Sequence, residues 1–179
     1  MRRWYFGILI ICIAMLAVGY AQKTDKKVEK TEKMIELKYF PVDDLKWLVT
    51  QTVVEFDDKV SIDGKGSLKI TVQNPTTINL YETGKVEIEN ARLIYKAKVK
   101  TEKIEGQVYL EMWCIVKGKG YFSRGLDKAL TGSVDWTALE IPFFFKKGET
   151  PDNVKLNIVI NGKGTVWIDD IHIMKGPLK

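Results

Sequence analysis

The chain carries few residues capable of demanding chemistry. Its 179 residues include one histidine, His172, and two cysteines, Cys12 and Cys114. A single histidine excludes a zinc site built on a histidine cluster, and no CxxC pair is present. Nucleophilic triads that depend on histidine lose their base. From Ile35 onward no helical stripe of apolar residues appears, which excludes helical bundles and alternating helix–strand folds. The formal charge is +5, but the lysines are scattered, whereas nucleic-acid binding needs a clustered basic face. Carboxylate chemistry, hard-cation binding and recognition stay open.

What the chain does have is a segment of unusual pattern, Gly106 to Trp136. Its first half reads as a strand. Val108, Leu110, Met112, Cys114 and Val116 fall on one face and Tyr109, Glu111, Trp113 and Ile115 on the other. The first set is apolar and reads as core, with Cys114 a small buried hydrophobe rather than a reactive thiol. The second mixes two aromatics with a carboxylate, as a strand facing a groove would. A Gly/Lys-rich loop follows, then Tyr121, Phe122, Arg124 and Asp127.

Residues 1–21 have the layout of a signal peptide. Arg2 and Arg3 precede an apolar run from Trp4 to Val18, and small residues at Gly19 and Ala21 allow cleavage before Gln22. The alternative is an uncleaved apolar helix acting as a membrane anchor, since Trp4 to Ala21 is just long enough to span. Cys12 lies inside the apolar run, after Ile10 and Ile11, and is not placed for lipid attachment. Residues 22–33 hold five lysines and three acids around a single apolar residue, Val28, and read as a charged tether.

Residues 34–179 read as one all-β domain, an antiparallel β-sandwich of eight or nine strands. Met34 to Pro41 opens it, and Leu45 to Phe56 is an extended apolar-rich segment. Ser67 to Gln73 alternates with Leu68, Ile70 and Val72 inward. Ile78 to Tyr81 is a short strand. Ala91 to Lys100 alternates with Arg92, Lys96, Lys98 and Lys100 outward. Pro142, within Trp136 to Phe145, predicts an edge position or a bulge. Val154 to Ile160 and Thr165 to Met174 are expected to form a hairpin about Asn161-Gly162-Lys163-Gly164.

Three stretches carry a family resemblance. GKGTVWIDDIHI, ending the chain, resembles the last strand of galactose-binding-like jelly rolls, especially CenC-like non-catalytic carbohydrate-binding modules. DGKGSLKI (Asp63 to Ile70) and VDWTALEIPF (Val134 to Phe143) resemble two further segments of those modules, in the same order. The resemblance spans about residues 35–175 and implies a jelly-roll sandwich that binds without cleaving. It also implies a structural calcium, held by Asp43 or Asp44, by the carbonyls around Asp63 to Lys65, and by Asp169. Oxygen ligands of this kind suit calcium. The first ligand departs from the family, which carries an F-E or F-D where this chain has Phe40-Pro41-Val42-Asp43.

The expected function is an exported, non-catalytic recognition module for a polysaccharide or other glycan, in the periplasm, secreted or at the cell surface. Tyr109, Glu111, Trp113, Tyr121 and Arg124 are the candidate contacts, with stacking on Trp113 and Tyr109 and hydroxyls bonded by Glu111 and Arg124. The alternative is a structural or protein-interaction domain of the cell envelope, with Trp113 packed and a flat apolar patch elsewhere. Contact with a membrane is expected only through residues 1–21. A hydrolase would need Glu111 and Asp127 to face each other across an open cleft.

Overall fold

The computed structural model describes residues 33–178. The segment 1–21 with Cys12, and all but the last residue of the charged stretch 22–33, lie outside the described residues. The described residues form β1 (Ile35–Phe40), β2 (Val54–Asp57), β3 (Ser67–Val72), β4 (Thr76–Glu82), β5 (Ala91–Val116), β6 (Lys119–Arg124), β7 (Leu130–Phe145) and β8 (Asn153–Gly176), plus one 3-10 turn at Leu126–Lys128. Every strand pairing is antiparallel. Among the described residues no helix is long and apolar enough to cross a membrane.

Two long strands, β5 and β8, pair along nearly their whole lengths, from Arg92 opposite Gly176 to Ile115 opposite Asn153. The free edge of β8 takes β1, β3 and β4 in turn, and the free edge of β5 takes β7 and β6. Both long strands bend where Gly106 faces Gly162. A Cβ on Gly106 would lie 2.1 Å from the Asn161 carbonyl oxygen, and one on Gly162 would lie 1.9 Å from that of Glu105. Only glycine allows backbones to approach so closely. Beyond the bend, the inward faces of both halves join one apolar cluster, so the sheet folds over itself into two layers.

The alternation read in β5 holds on both sides of the bend. Leu93, Tyr95, Ala97 and Val99 are buried in the first half, and Val108, Leu110, Met112 and Cys114 in the second. The inward set changes from odd to even positions. Register shifts between Val99 and Val108 absorb the change, with Lys103 at φ 52° and Gly106 at φ 118°. Burial pushes the Cys114 thiol up to about 12, as expected of a core hydrophobe. β7 pairs only with β5, so Pro142 stands on an edge strand, as expected.

Two expectations are corrected. Asn161 to Gly164 is not a hairpin turn: β8 runs through it, and both halves keep the same neighbour, β5. The glycines serve a close backbone approach there, not a chain reversal. Of Leu45 to Phe56, only Val54 onward is strand. The residues before it form a turn-rich loop held to β4 by the Val49 and Thr50 N–H groups, each 3.0 Å from the Leu80 and Asn79 carbonyl oxygens respectively. A true two-residue hairpin lies elsewhere, at Lys117-Gly118, where both residues have positive φ.

Candidate functional site

Directly opposed residues of antiparallel strands share a face of the sheet. In the layer made by β4, β6 and the halves of β5 and β8 nearest them, alternation sends Ile78, Leu80, Leu110, Met112, Leu156 and Ile158 inward. The outward face then carries two cross-strand rows. One runs Asn79, Asn157, Glu111, Arg124. The other runs Glu82, Lys155, Trp113, Phe122.

Glu111 is the hub of the first row and is only 4% exposed. Its Oε1 accepts from Trp113 Nε1 at 2.8 Å and from Asn157 Nδ2 at 2.9 Å, and its Oε2 accepts from Arg124 Nε at 2.5 Å. Burial alone would push this carboxyl up, but the bonds from Asn157, Arg124 and Trp113 outweigh it and hold Glu111 below the usual carboxylate range. An ionised, triply bonded carboxylate is an anchor, and it cannot act as a general acid. It fixes the Trp113 indole in orientation. Phe122 supports the ring from beside it, centroids 5.1 Å apart, and Arg124 lies 4.5 Å over Phe122.

Around the half-buried Trp113 lies an open depression of about 420 Å³, lined by Asn79, Trp113, Ile115, Gly120, Lys155 and Asn157. Gly120 leaves room for the indole, since a Cβ there would touch the ring at 3.4 Å. Asn79 and Asn157 commit their amide nitrogens to carboxylates, Asn79 to Glu82 Oε1 at 2.9 Å and Asn157 to Glu111 Oε1. Their Oδ1 atoms are buried and have no hydrogen-bond partner. Such an acceptor costs about 1–3 kcal/mol while it stays unpaired. The charges of the face pair off, Arg124 with Glu111 and Lys155 with Glu82 at 3.2 Å, leaving it close to neutral.

Of the residues predicted from sequence, Glu111, Trp113 and Arg124 come together in one bonded group. Tyr109 lies on the same face, one row along, but is only 8% exposed, so it supports the face more than it offers a platform. Tyr121 does not join them. It pairs with Cys114, which points to the core, so it stands on the opposite face of β6 from Phe122. Glu111 is already bonded three times and is not free to lead in bonding hydroxyls. Arg124 pairs with Glu111 across the strands and not with Asp127 within its loop. Reading one strand at a time missed Asn79, Asn157 and Lys155, while Phe122, grouped with Tyr121 and Arg124 in the sequence, stands beside Trp113. The signal was there for Asn157, an outward polar residue inside the apolar run VKLNIVI.

The acidic residues proposed for a metal gather at the other end of β8. Asp169 is 2% exposed; its Oδ2 accepts from the Ile62 N–H at 2.9 Å and its Oδ1 from the Asp170 N–H at 2.7 Å. Burial pushes its carboxyl up against those two bonds, and the charges of Asp63 and Asp170 push it further. The Tyr39 phenol is raised by burial and then by Asp169, Asp63, Asp43 and Asp170. Asp63 and Asp170 thus act on Asp169, and Asp43 acts with them on Tyr39. Among the described residues no three His, Cys, Asp or Glu side chains converge as metal ligands. His172 is engaged between Glu36 and Asp170, at 2.7 Å from each.

No family model and no curated sequence matches the chain. Solved structures do. A family 16 carbohydrate-binding module superposes with a TM-score of 0.51 at 14% identity, covering 68% of this chain and 84% of that one. The Clostridium thermocellum xylanase 10B fragment that joins a family 22 binding module to a catalytic module, solved with xylohexaose, gives 0.56 at 12%, over 81% of this chain and 29% of that one. The family 22 xylan-binding domain of Paenibacillus barcinonensis Xyn10C gives 0.50 at 13%, over 69% and 81%. The fold of this chain is that of the β-sandwich jelly-roll carbohydrate-binding modules, as the three sequence stretches implied.

Proposed function

We propose that the face around Trp113 is a carbohydrate-binding groove and that the protein is a non-catalytic recognition module of an exported protein. The observation that carries this reading is the pair of buried, unpartnered Asn79 and Asn157 Oδ1 atoms beside a fixed, half-buried indole that lines an open depression. A sugar ring supplies what that arrangement lacks. Its C–H face covers the indole, and its hydroxyls donate to the two amide oxygens once a side-chain rotation turns each of them into the depression. The shared fold with modules whose described ligands are xylan and xylohexaose supports the class of ligand, and the balanced charge of the groove favours a neutral chain over an acidic one. Residues 1–21 would direct export, by cleavage or as an anchor.

The test is a titration of the full chain with a panel of neutral and acidic polysaccharides, followed by tryptophan fluorescence and calorimetry. Saturable binding that is lost in Trp113→Ala and weakened in Asn157→Leu supports the groove. A folded protein that binds no glycan overturns it. That outcome would favour the second reading, an envelope interaction domain, for which the exposed side chains of Ile35, Leu37 and Tyr39 on the edge strand β1 supply apolar surface.

Calcium belongs to the same proposal. The repulsion of Asp63 and Asp170 on the buried Asp169 would be relieved by a divalent cation, with Asp43 as a further ligand. The side chains do not close a set of ligands by themselves, so carbonyl oxygens of the loop between β2 and β3 would have to complete it. A rise in melting temperature with calcium, reduced in Asp169→Asn, supports the site. No shift at millimolar calcium removes it.

A further inference from the structure

The second row of the groove does not stop at its edge. Glu82, on β4, is two strand spacings from Trp113, roughly 10 Å across the sheet. Beyond it opens a separate hollow of about 270 Å³, lined by Lys38, Tyr39, Phe40, Pro41, Trp47, Tyr81 and Glu82. Trp47 is the most exposed large apolar side chain among the described residues, at 67%. It sits on the loop that β4 holds through Val49 and Thr50, and Lys46 Nζ lies 5.0 Å over its ring. Tyr81, buried at the base, donates its hydroxyl to the Pro41 carbonyl oxygen at 3.2 Å. An indole exposed to this degree, on a tied loop and beside a bonded carboxylate, has no packing role that explains it.

We propose that this hollow is a second carbohydrate subsite, which takes a further ring of the same neutral glycan chain that lies on Trp113. The inference rests on the groove reading and extends it. Glu82 is the shared wall. Its Oε1 faces Asn79 and Lys155 on the groove side, its Oε2 accepts from Asn153 Nδ2 at 2.7 Å, and its carboxylate also lines the Trp47 hollow. A chain crossing β5, β8 and β4 along the row passes Trp113, Lys155 and Glu82 and arrives at Trp47. Short oligosaccharides would fill the Trp113 end alone; longer ones would reach both indoles. The protein then reads length of chain, and internal segments of a polysaccharide bind better than its fragments.

The experiment compares calorimetric affinities of xylo- and cello-oligosaccharides, from disaccharide to hexasaccharide, for the full-length protein, Trp47→Ala, Trp47→Tyr and Trp113→Ala. The side chain of Trp47 is mostly in water, so its removal leaves the fold intact, as an unchanged melting temperature would verify. The expected result is a loss of about tenfold for the hexasaccharide in Trp47→Ala, with no change for the disaccharide and recovery in Trp47→Tyr. Trp113→Ala loses binding at every length. If Trp47→Ala leaves every length unchanged while Trp113→Ala abolishes binding, the second subsite is wrong and the groove stands. An equal loss at every length would also overturn a distal subsite. If no oligosaccharide binds the unaltered protein, the groove fails and the subsite fails with it.

Discussion

Replacing Glu111 by glutamine removes one charge from the centre of the groove without changing its volume. The two bonds at Oε1, from Asn157 and Trp113, can persist onto an amide oxygen, but charge-assisted bonds are roughly twice as strong as neutral ones. At Oε2 the amide NH2 would face the Arg124 Nε–H, donor against donor. The lost charged bond is worth about 1.5–3 kcal/mol, taken toward the low end because the Arg124 side chain is 41% exposed. Weakening of the other two adds about 1 kcal/mol. Glu111→Gln should therefore cost about 2–3 kcal/mol at neutral pH, read by urea unfolding. The cost has a definite pH dependence. The folded carboxyl sits below its ordinary value of 4.5, so its contribution is complete above that pH. It is lost as the pH falls through the lower, folded value, and the gap between the two proteins should close on acidification. A cost below about 1 kcal/mol at neutral pH, or a gap that does not close in acid, would refute the hub.

Other expectations follow from the same geometry. Gly106→Ala must move the paired strand, because its Cβ meets the Asn161 oxygen and its φ is 118°; we expect a loss of about 3 kcal/mol in denaturant unfolding, with Gly84→Ala, where nothing lies within 4 Å, costing much less. Cys114 should resist thiol reagents in the native protein and react only on unfolding, so its modification rate follows the opening of β5. Asn157→Leu removes a buried unpaired oxygen together with a donor to Glu111, so it should change stability little while weakening glycan binding at least fivefold, by calorimetry.

The alternation of β5 and β8 was legible in the sequence because burial on one face imposes a period of two residues. It gave the inward set around Cys114 and the outward set around Trp113 correctly. What period alone does not give is register. Asn79 and Phe122 matter only because β4 and β6 bring them level with Glu111 and Trp113, and the same register turns Tyr121, next to Phe122, to the other face. The Asn-Gly pair at 161–162 carries a turn signature, yet a glycine also permits two backbones to cross closely, and only the partner strand tells the two apart. Trp47 lies within a stretch that reads as an extended apolar segment, since nothing local marks its exposure.

The central claim is that Trp113 and the two unpartnered asparagine oxygens hold a sugar. The most direct measurement is calorimetric titration of the full chain with neutral β-linked oligosaccharides, alongside Trp113→Ala. Saturable, enthalpy-driven binding that vanishes in the variant while the variant stays folded is the result expected. Undiminished binding in Trp113→Ala would place any ligand elsewhere and contradict the claim.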